Sequence, residues 1–332
     1  MLDSAEPLLE VVVIGAGMAG LIAARELQRA GRQVVVLDKG RGAGGRLATR
    51  RIDGATFDHG AQGFAMGHAE FAEGIVPRHL VGSLIPWPET PTGSNPDPNR
   101  WRGNPTMSAI ARHLAQGIDV HLETTVTALY PEAHHWAVQT SAGKRVSADS
   151  VILTTPVPQA LAVIDAGGLP VPSALRSRLS AIDYDRCLAI LAILEGPSRI
   201  PPPGGVAPGS EPLAWIVDNM LKGISTQPAV TLHATPRFSL EHWDQDRTAT
   251  GRILLEAAAP WLGSPVKSFQ VHGWRYSQPT VTDEARCRVV ATHPFLVLAG
   301  DAFGVGGVEG AALSGAAAAE TLLKAVSVRR VT

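Results

Sequence analysis

Val11-Val-Val-Ile14 runs directly into Gly15-x-Gly17-x-x-Gly20, then into a helix-patterned stretch from Leu21 to Ala30 stopped by Gly31, then into Val34-Val-Val-Leu37 ending on Asp38. This strand–turn–helix–strand pattern constrains the fold more than any other segment. Continuous apolar strands joined by a helix belong to a parallel sheet covered on both faces. The glycines allow a tight turn, a close backbone approach to a pyrophosphate, and packing of the helix on its strand. The helix N-terminus offers free N–H groups and a partial positive charge. Asp38 lies 18 residues past Gly20, where an acidic side chain binds ribose hydroxyls. It fits NAD or FAD and disfavours a 2'-phosphate.

The chain of 332 residues is long enough for two domains or one large discontinuous one. Hydrophobic residues make up 45% and charged residues 18%, with 29 Lys+Arg against 30 Asp+Glu. That excludes disorder and advertises no basic face for nucleic acid, so a small-molecule partner is expected. Cys187 and Cys287 lie outside any disulfide, dithiol or zinc spacing, and no His-x-x-x-His pattern marks a metal site. A reducing, cytoplasmic setting is expected. Asp3, Glu6 and Glu10 precede the apolar stretch from Val11 where an export signal carries positive charge, and no apolar run reaches 18 residues, so neither export nor a membrane span is expected. Short β-rich runs at Val126 to Tyr130, His135 to Thr140 and Val151 to Thr154 predict a meander that returns to the main sheet. Pro86 to Pro105 and Pro197 to Pro212 read as loops, and Leu161 to Asp283 as a mainly antiparallel region. A strand at Phe295 to Ala299, a glycine turn and an Ala-rich helix from about Val308 to Ala325 close the chain.

Four further segments carry a resemblance. Asp38-Lys39-Gly40-Arg41-Gly42-Ala43-Gly44-Gly45-Arg46 is similar to the acidic residue and Gly-Gly-Arg of the flavin-containing amine oxidase superfamily, which lie against the FAD pyrophosphate. Phe57-Asp58-His59-Gly60-Ala61-Gln62 resembles the D-x-G-A-Q segment along the isoalloxazine ring. Ala299-Gly300-Asp301 resembles the distal A-G-D whose carboxylate binds the ribityl chain, and Gly306-Gly307-Val308-Glu309-Gly310-Ala311 the start of the last helix, whose dipole favours negative charge on a reduced flavin. The resemblance implies a glutathione-reductase-type two-domain α/β fold, a Rossmann FAD domain with a mainly antiparallel substrate domain. The FAD domain is expected at 1–68, 102–160 and 284–332, and the substrate domain at 69–101 and 161–283. It implies non-covalent FAD, since Ala302 to Gly307 holds no cysteine. Contacts to it are expected from Gly15, Gly17, Met18, Ala19, Gly20, Asp38, Lys39, Gly44, Gly45 and Arg46. Others are expected from Gly60, Ala61, Gln62, Val126, Thr155, Gly300, Asp301, Val308, Glu309 and Ala311.

Within that superfamily the chain resembles the renalases. Arg100-Trp101-Arg102-Gly103-Asn104-Pro105, Thr155-Pro156-x-Pro158-Gln159-Ala160, Leu232-His233-Ala234-Thr235 and Gly273-Trp274-Arg275-Tyr276 carry the likeness, over nearly the whole chain. One departure is Gly63, where renalases carry Tyr; Phe64 is the candidate to fill that space. Read as bare residues, His233, Trp215, Trp274 and Tyr276 are core side chains. The resemblance gives Gln62, Asn219, His233, Trp274 and Tyr276 a role in placing substrate, with no acid/base pair identified. It implies oxidation of 2- or 6-dihydro-NAD(P) to NAD(P)+ with electrons passed to dioxygen. An amine oxidase or desaturase stays open, although neither Lys222 nor Lys267 can be placed at the flavin from sequence, as does a flavin-binding protein without turnover.

Overall fold

A computed structural model describes residues 8–87 and 99–329. Asp3 and Glu6 therefore lie outside the described residues, as does 88–98 of the first Pro/Gly-rich stretch. Leu9–Ile14 is central to an eight-stranded sheet ordered Arg288–Thr292, Phe295–Leu298, Arg145–Leu153, Leu9–Ile14, Val34–Leu37, Asp119–His121. Pairing is parallel from Phe295–Leu298 through to Asp119–His121. The carboxyl ends at Ile14, Leu37, Leu153 and Leu298 therefore point the same way, and a doubly wound sheet binds its ligand outside those ends. The meander forms as Val126–Pro131, Trp136–Thr140 and Arg145–Leu153. Its last strand starts six residues before the expected Val151, because the half-exposed, partly charged run from Arg145 pairs with Trp136–Gln139 and only its second half enters the core.

Helices cover both faces, as the apolar strands require. Met18–Arg29 and Gly307–Arg329 share one core with Val11, Val13 and Val36. Val157–Ala166 and Ser173–Ser180 share the other with Val12, Ile14 and Trp136, whose buried indole Nε1 donates to the Phe295 carbonyl at 3.0 Å. The boundary expected at 160/161 falls inside the first of these two helices.

Tyr184–Leu194, Gly205–Val206, Leu213–Asp218, Ala229–Ala234 and Val266–Pro279 form a five-stranded antiparallel sheet. Its own core includes Leu188, Ile190, Leu232 and Leu254. Part of the second Pro/Gly-rich stretch, Gly205–Val206, thus joins a sheet, and part of the first forms the strand Arg100–Gly103. The hairpin of Thr49–Ile52 and Ala55–Asp58 packs on the five-stranded sheet, where Ala55 and Phe57 meet Leu191, Ile193 and Ala229.

Candidate active site

A cleft of about 1620 Å³ opens between the two sheets. That exceeds the roughly 300–1000 Å³ of a usual small-molecule pocket, so it has room for a dinucleotide and a second ligand. Every residue expected to meet the cofactor lines it except Gly20. Gly20 lies behind the turn: a Cβ there would stand 1.9 Å from the Gly15 carbonyl oxygen, so its role is the close packing of helix on strand.

The lining fits FAD. Gly15 has φ +110°, a conformation natural to glycine, and a Cβ at Gly17 would meet no atom within 4 Å, which leaves the helix N-terminus open toward the cleft. No side chain caps that helix and its first turn carries no acid, so its leading N–H groups are available to a phosphate. The Asp38 carboxylate accepts from Ala16 N–H and Gly40 N–H, both at 2.6 Å, which fixes it at the end of its strand. Thr155 Oγ1 is buried in the lining with no partner among the described residues. Arg46 and Asp301, brought together across the cleft, form a two-pronged ion pair at 2.5 and 2.7 Å, and Arg46 also donates to the Ser277 carbonyl. Burial pulls the Arg46 pKa down, but the Asp301 charge outweighs it and the net direction is upward. Glu309 accepts from the Gly67 and His68 N–H groups at 3.0 and 2.8 Å, so this carboxylate ties the last helix to the 67–68 loop.

Beyond Gly60 the cleft is walled by rings. His59 lies 4.8 Å from His272 and 5.2 Å from Trp274, ring centre to ring centre, and a Cβ at Gly60 would touch the Trp274 ring at 3.3 Å. The His59 carbonyl accepts from Trp274 Nε1 at 2.8 Å and pairs with His233 Nε2 at 3.1 Å, which locks both side chains to the D-x-G-A-Q segment. Tyr276 meets Tyr184 edge-on at 5.5 Å. All three histidines are held neutral. Burial is the largest cause at each, taking His59 to about 3, helped by His272 and Arg50 and opposed by the Ala48 carbonyl. His233 and His272 fall to about 4, with Arg50 and Arg247 adding to the effect at His272. Neither His59 nor His272 stood out in the sequence, since only the pairing of two distant segments brings them together.

Three expectations change. Asn219 does not line the cleft: it is fully buried and its amide donates to Thr231 Oγ1 and the Ala229 carbonyl, binding a turn to its neighbouring strand. Gln62 does line it, but its amide is already occupied, donating to the Asp58 carbonyl at 2.6 Å and accepting from Lys222 Nζ at 3.1 Å. The space at Gly63 is filled by Trp87 and not by Phe64. A Cβ there would lie 3.0 Å from the Trp87 ring, while Phe64 turns to Phe71 in the core. Lys222, unplaceable from sequence, is wholly buried behind Gln62, with its ammonium 2.8 Å from Asp58 and 4.9 Å from the centre of the Trp87 ring. Burial lowers its pKa against the opposing pull of Asp58. Lys267 is exposed.

A cofactor cradle at the sheet's carboxyl ends, faced by a wall of rings on an antiparallel sheet, defines a flavin-dependent oxidoreductase. Residues 94–323 match the family model of flavin containing amine oxidoreductases and residues 13–73 that of an NAD(P)-binding Rossmann-like domain. The chain belongs to the flavin containing amine oxidoreductase family, with FAD as its cofactor. Among curated relatives it is similar to renalase of Mus musculus, 28% identical over 317 residues that cover 88% of this chain and 92% of the mouse protein. It is also similar to putrescine oxidase of Kocuria rosea, 51% identical over 53 residues, 16% of this chain and 11% of that one. Among solved structures, a putative protoporphyrinogen oxidase from Exiguobacterium sp. 255-15 superposes with a TM-score of 0.73 at 14% identity, covering 96% of this chain and 99% of that one. No helix among the described residues is long and apolar enough to cross a membrane.

Proposed function

We propose that this chain is a renalase-like FAD-dependent oxidase that returns 2- or 6-dihydro-NAD(P) to NAD(P)+, with dioxygen as electron acceptor. The observation that carries the reading is the charge of the cleft: eight Lys and Arg side chains line it against three carboxylates. That field attracts a dinucleotide polyanion and opposes an ammonium substrate. The neutral imidazoles support it as well. A histidine with a pKa near 3 or 4 is a poor base at pH 7. A dihydronicotinamide needs none, since its ring nitrogen pushes out the hydride and the ring leaves as an aromatic cation.

When bound, FAD supplies the hydride acceptor. In this reading the segments around the eight-stranded sheet hold it and the five-stranded sheet presents the substrate. Trp274, His233 and Tyr276 orient the ring and exclude water, and Gln62, immobilised by Lys222 and Asp58, fixes the floor beneath it. Arg46, Asp38 and Thr155 retain the cofactor. With FAD bound there, dioxygen would be the electron acceptor, and NAD(P)+ and hydrogen peroxide the products, one proton being drawn from solvent.

Stopped-flow mixing under anaerobic conditions tests this. The 2- or 6-dihydro isomer should bleach the flavin within seconds, ordinary 4-dihydro-NADH much more slowly, and the rate should vary little from pH 6 to 9. Fast bleaching by simple amines, rising with pH while the isomers stay inert, would replace this reading with amine oxidation.

A further inference from the structure

Five cations of the cleft, Lys39, Arg41, Arg50, Arg51 and Arg275, have no side-chain partner among the described residues, and of these Arg50 is the one that is not exposed. It sits half-buried on the strand Thr49–Ile52 and lines the cleft, yet its guanidinium makes no hydrogen bond or ion pair with any described residue. Arg46 is engaged by Asp301 and Arg112 by Ser108. Arg50 pairs with Phe57 across the hairpin and the Ala48 carbonyl two residues before it accepts the His59 N–H at 3.3 Å, which sets Arg50 and His59 on one face, with the His272 ring 4.8 Å from that of His59. His59 is 4% exposed, lines the cleft, and its Nδ1 is buried without a hydrogen-bond partner among the described residues. An unpaired guanidinium next to an orphaned imidazole nitrogen is an incomplete set of hydrogen bonds. An oxyanion completes it, accepting from the planar fork and from an imidazole N–H.

We propose that Arg50, with His59 and His272, forms an anion subsite that takes a phosphate of the nucleotide substrate. The inference rests on the dihydronicotinamide reading and adds what would set specificity within it. The same His59 whose ring faces this subsite holds Trp274 and His233 through its carbonyl. The anion subsite and the wall that orients the reacting ring are therefore parts of one rigid segment. A phosphate seated at Arg50 sets how far the ring can travel along that wall, so the subsite acts on placement as well as on affinity.

Nicotinamide mononucleotide and nicotinamide riboside differ by one phosphate and serve as probes, their binding to the FAD-loaded enzyme read from the flavin absorption spectrum. The wild-type enzyme should bind the mononucleotide about 10- to 150-fold more tightly, the worth of a charged hydrogen bond. Arg50→Ala should abolish that preference while riboside affinity changes less than about twofold, and Arg50→Lys should restore part of it. With no substitution at all, inorganic phosphate should compete with the mononucleotide and leave the riboside untouched. Equal wild-type affinities, a preference that survives Arg50→Ala, or loss of FAD from Arg50→Ala with the preference intact would each overturn the inference. Failure of the dihydro isomers to bleach the flavin, with the mononucleotide preference present, would instead sink the substrate reading and leave the anion subsite standing.

Discussion

Replacing Lys222 by Met tests the pair beneath the active-site floor most directly, because the substitution keeps the length of the stem and deletes only the ammonium. In the native protein that ammonium lies 2.8 Å from Asp58 and 3.1 Å from the Gln62 oxygen, and both members of the ion pair are 0% exposed. Water cannot replace the lost partner. Breaking such a pair costs about 3–5 kcal/mol, chiefly because a carboxylate is left buried and uncompensated. Asp58 keeps donors in Thr49 Oγ1 at 2.5 Å and the Met107 N–H at 3.2 Å, which places the expected loss near the lower end. About 3 kcal/mol in a chain of this size should lower the melting temperature by about 5–10 °C. Melting should be followed at saturating FAD, so that cofactor release does not enter the comparison. The double variant Lys222→Met with Asp58→Asn removes both charges and should be more stable than the sum of the two single losses, with a coupling of about 1–3 kcal/mol. Flavin reduction should slow in Lys222→Met as Gln62 loses its anchor. A melting temperature within about 1 °C of wild type, or strict additivity in the cycle, would refute the reasoning.

Asp38→Ala should purify partly as apoprotein with FAD affinity about 10- to 150-fold weaker, and should regain its reduction rate when FAD is saturating. Acid precipitation of the wild-type protein should release all the flavin to the supernatant. Folding stability should fall as pH drops from about 6.5 toward 4: the unfolded chain protonates His59, His233 and His272 near their ordinary 6.5, the folded chain only near 3 to 4. Each contributes at most about 1.4 kcal/mol per pH unit, less for half-exposed His272. Urea unfolding at pH 5 and 6.5 checks this, and equal midpoints would contradict it.

The cofactor cradle was legible in the sequence because its signals are local. Gly15, Gly17 and Asp38 owe their roles to a strand, a turn and a helix within thirty residues, and a backbone turn constrains residue type wherever it occurs. The opposing wall was only half legible. Trp274 and His233 were named from a resemblance, whereas His59, His272, Arg50, Trp87 and Lys222 become significant only through contacts between distant segments. No periodicity marks a lysine that will be buried under a glutamine 160 residues away. Asn219 failed for the same reason. A polar residue after a strand reads equally well as facing a ligand or as tying a turn, and the Thr231 hydroxyl opposite it decides for the turn.

The pairing of Arg46 with Asp301 has a consequence for how the protein is made. These side chains are separated by 255 residues yet close one clamp, and the central sheet joins strands from the start, middle and end of the chain. A ribosome must therefore finish most of the polypeptide before the clamp can form. The glycine turn and Asp38 emerge early with only part of the cofactor's binding surface, and contacts of such long range are slow to assemble. Vitamin supply would then act on the finished fold, since FAD bound to the native chain stabilises it by mass action. Cells short of riboflavin would hold a larger share of this protein in open, protease-accessible form.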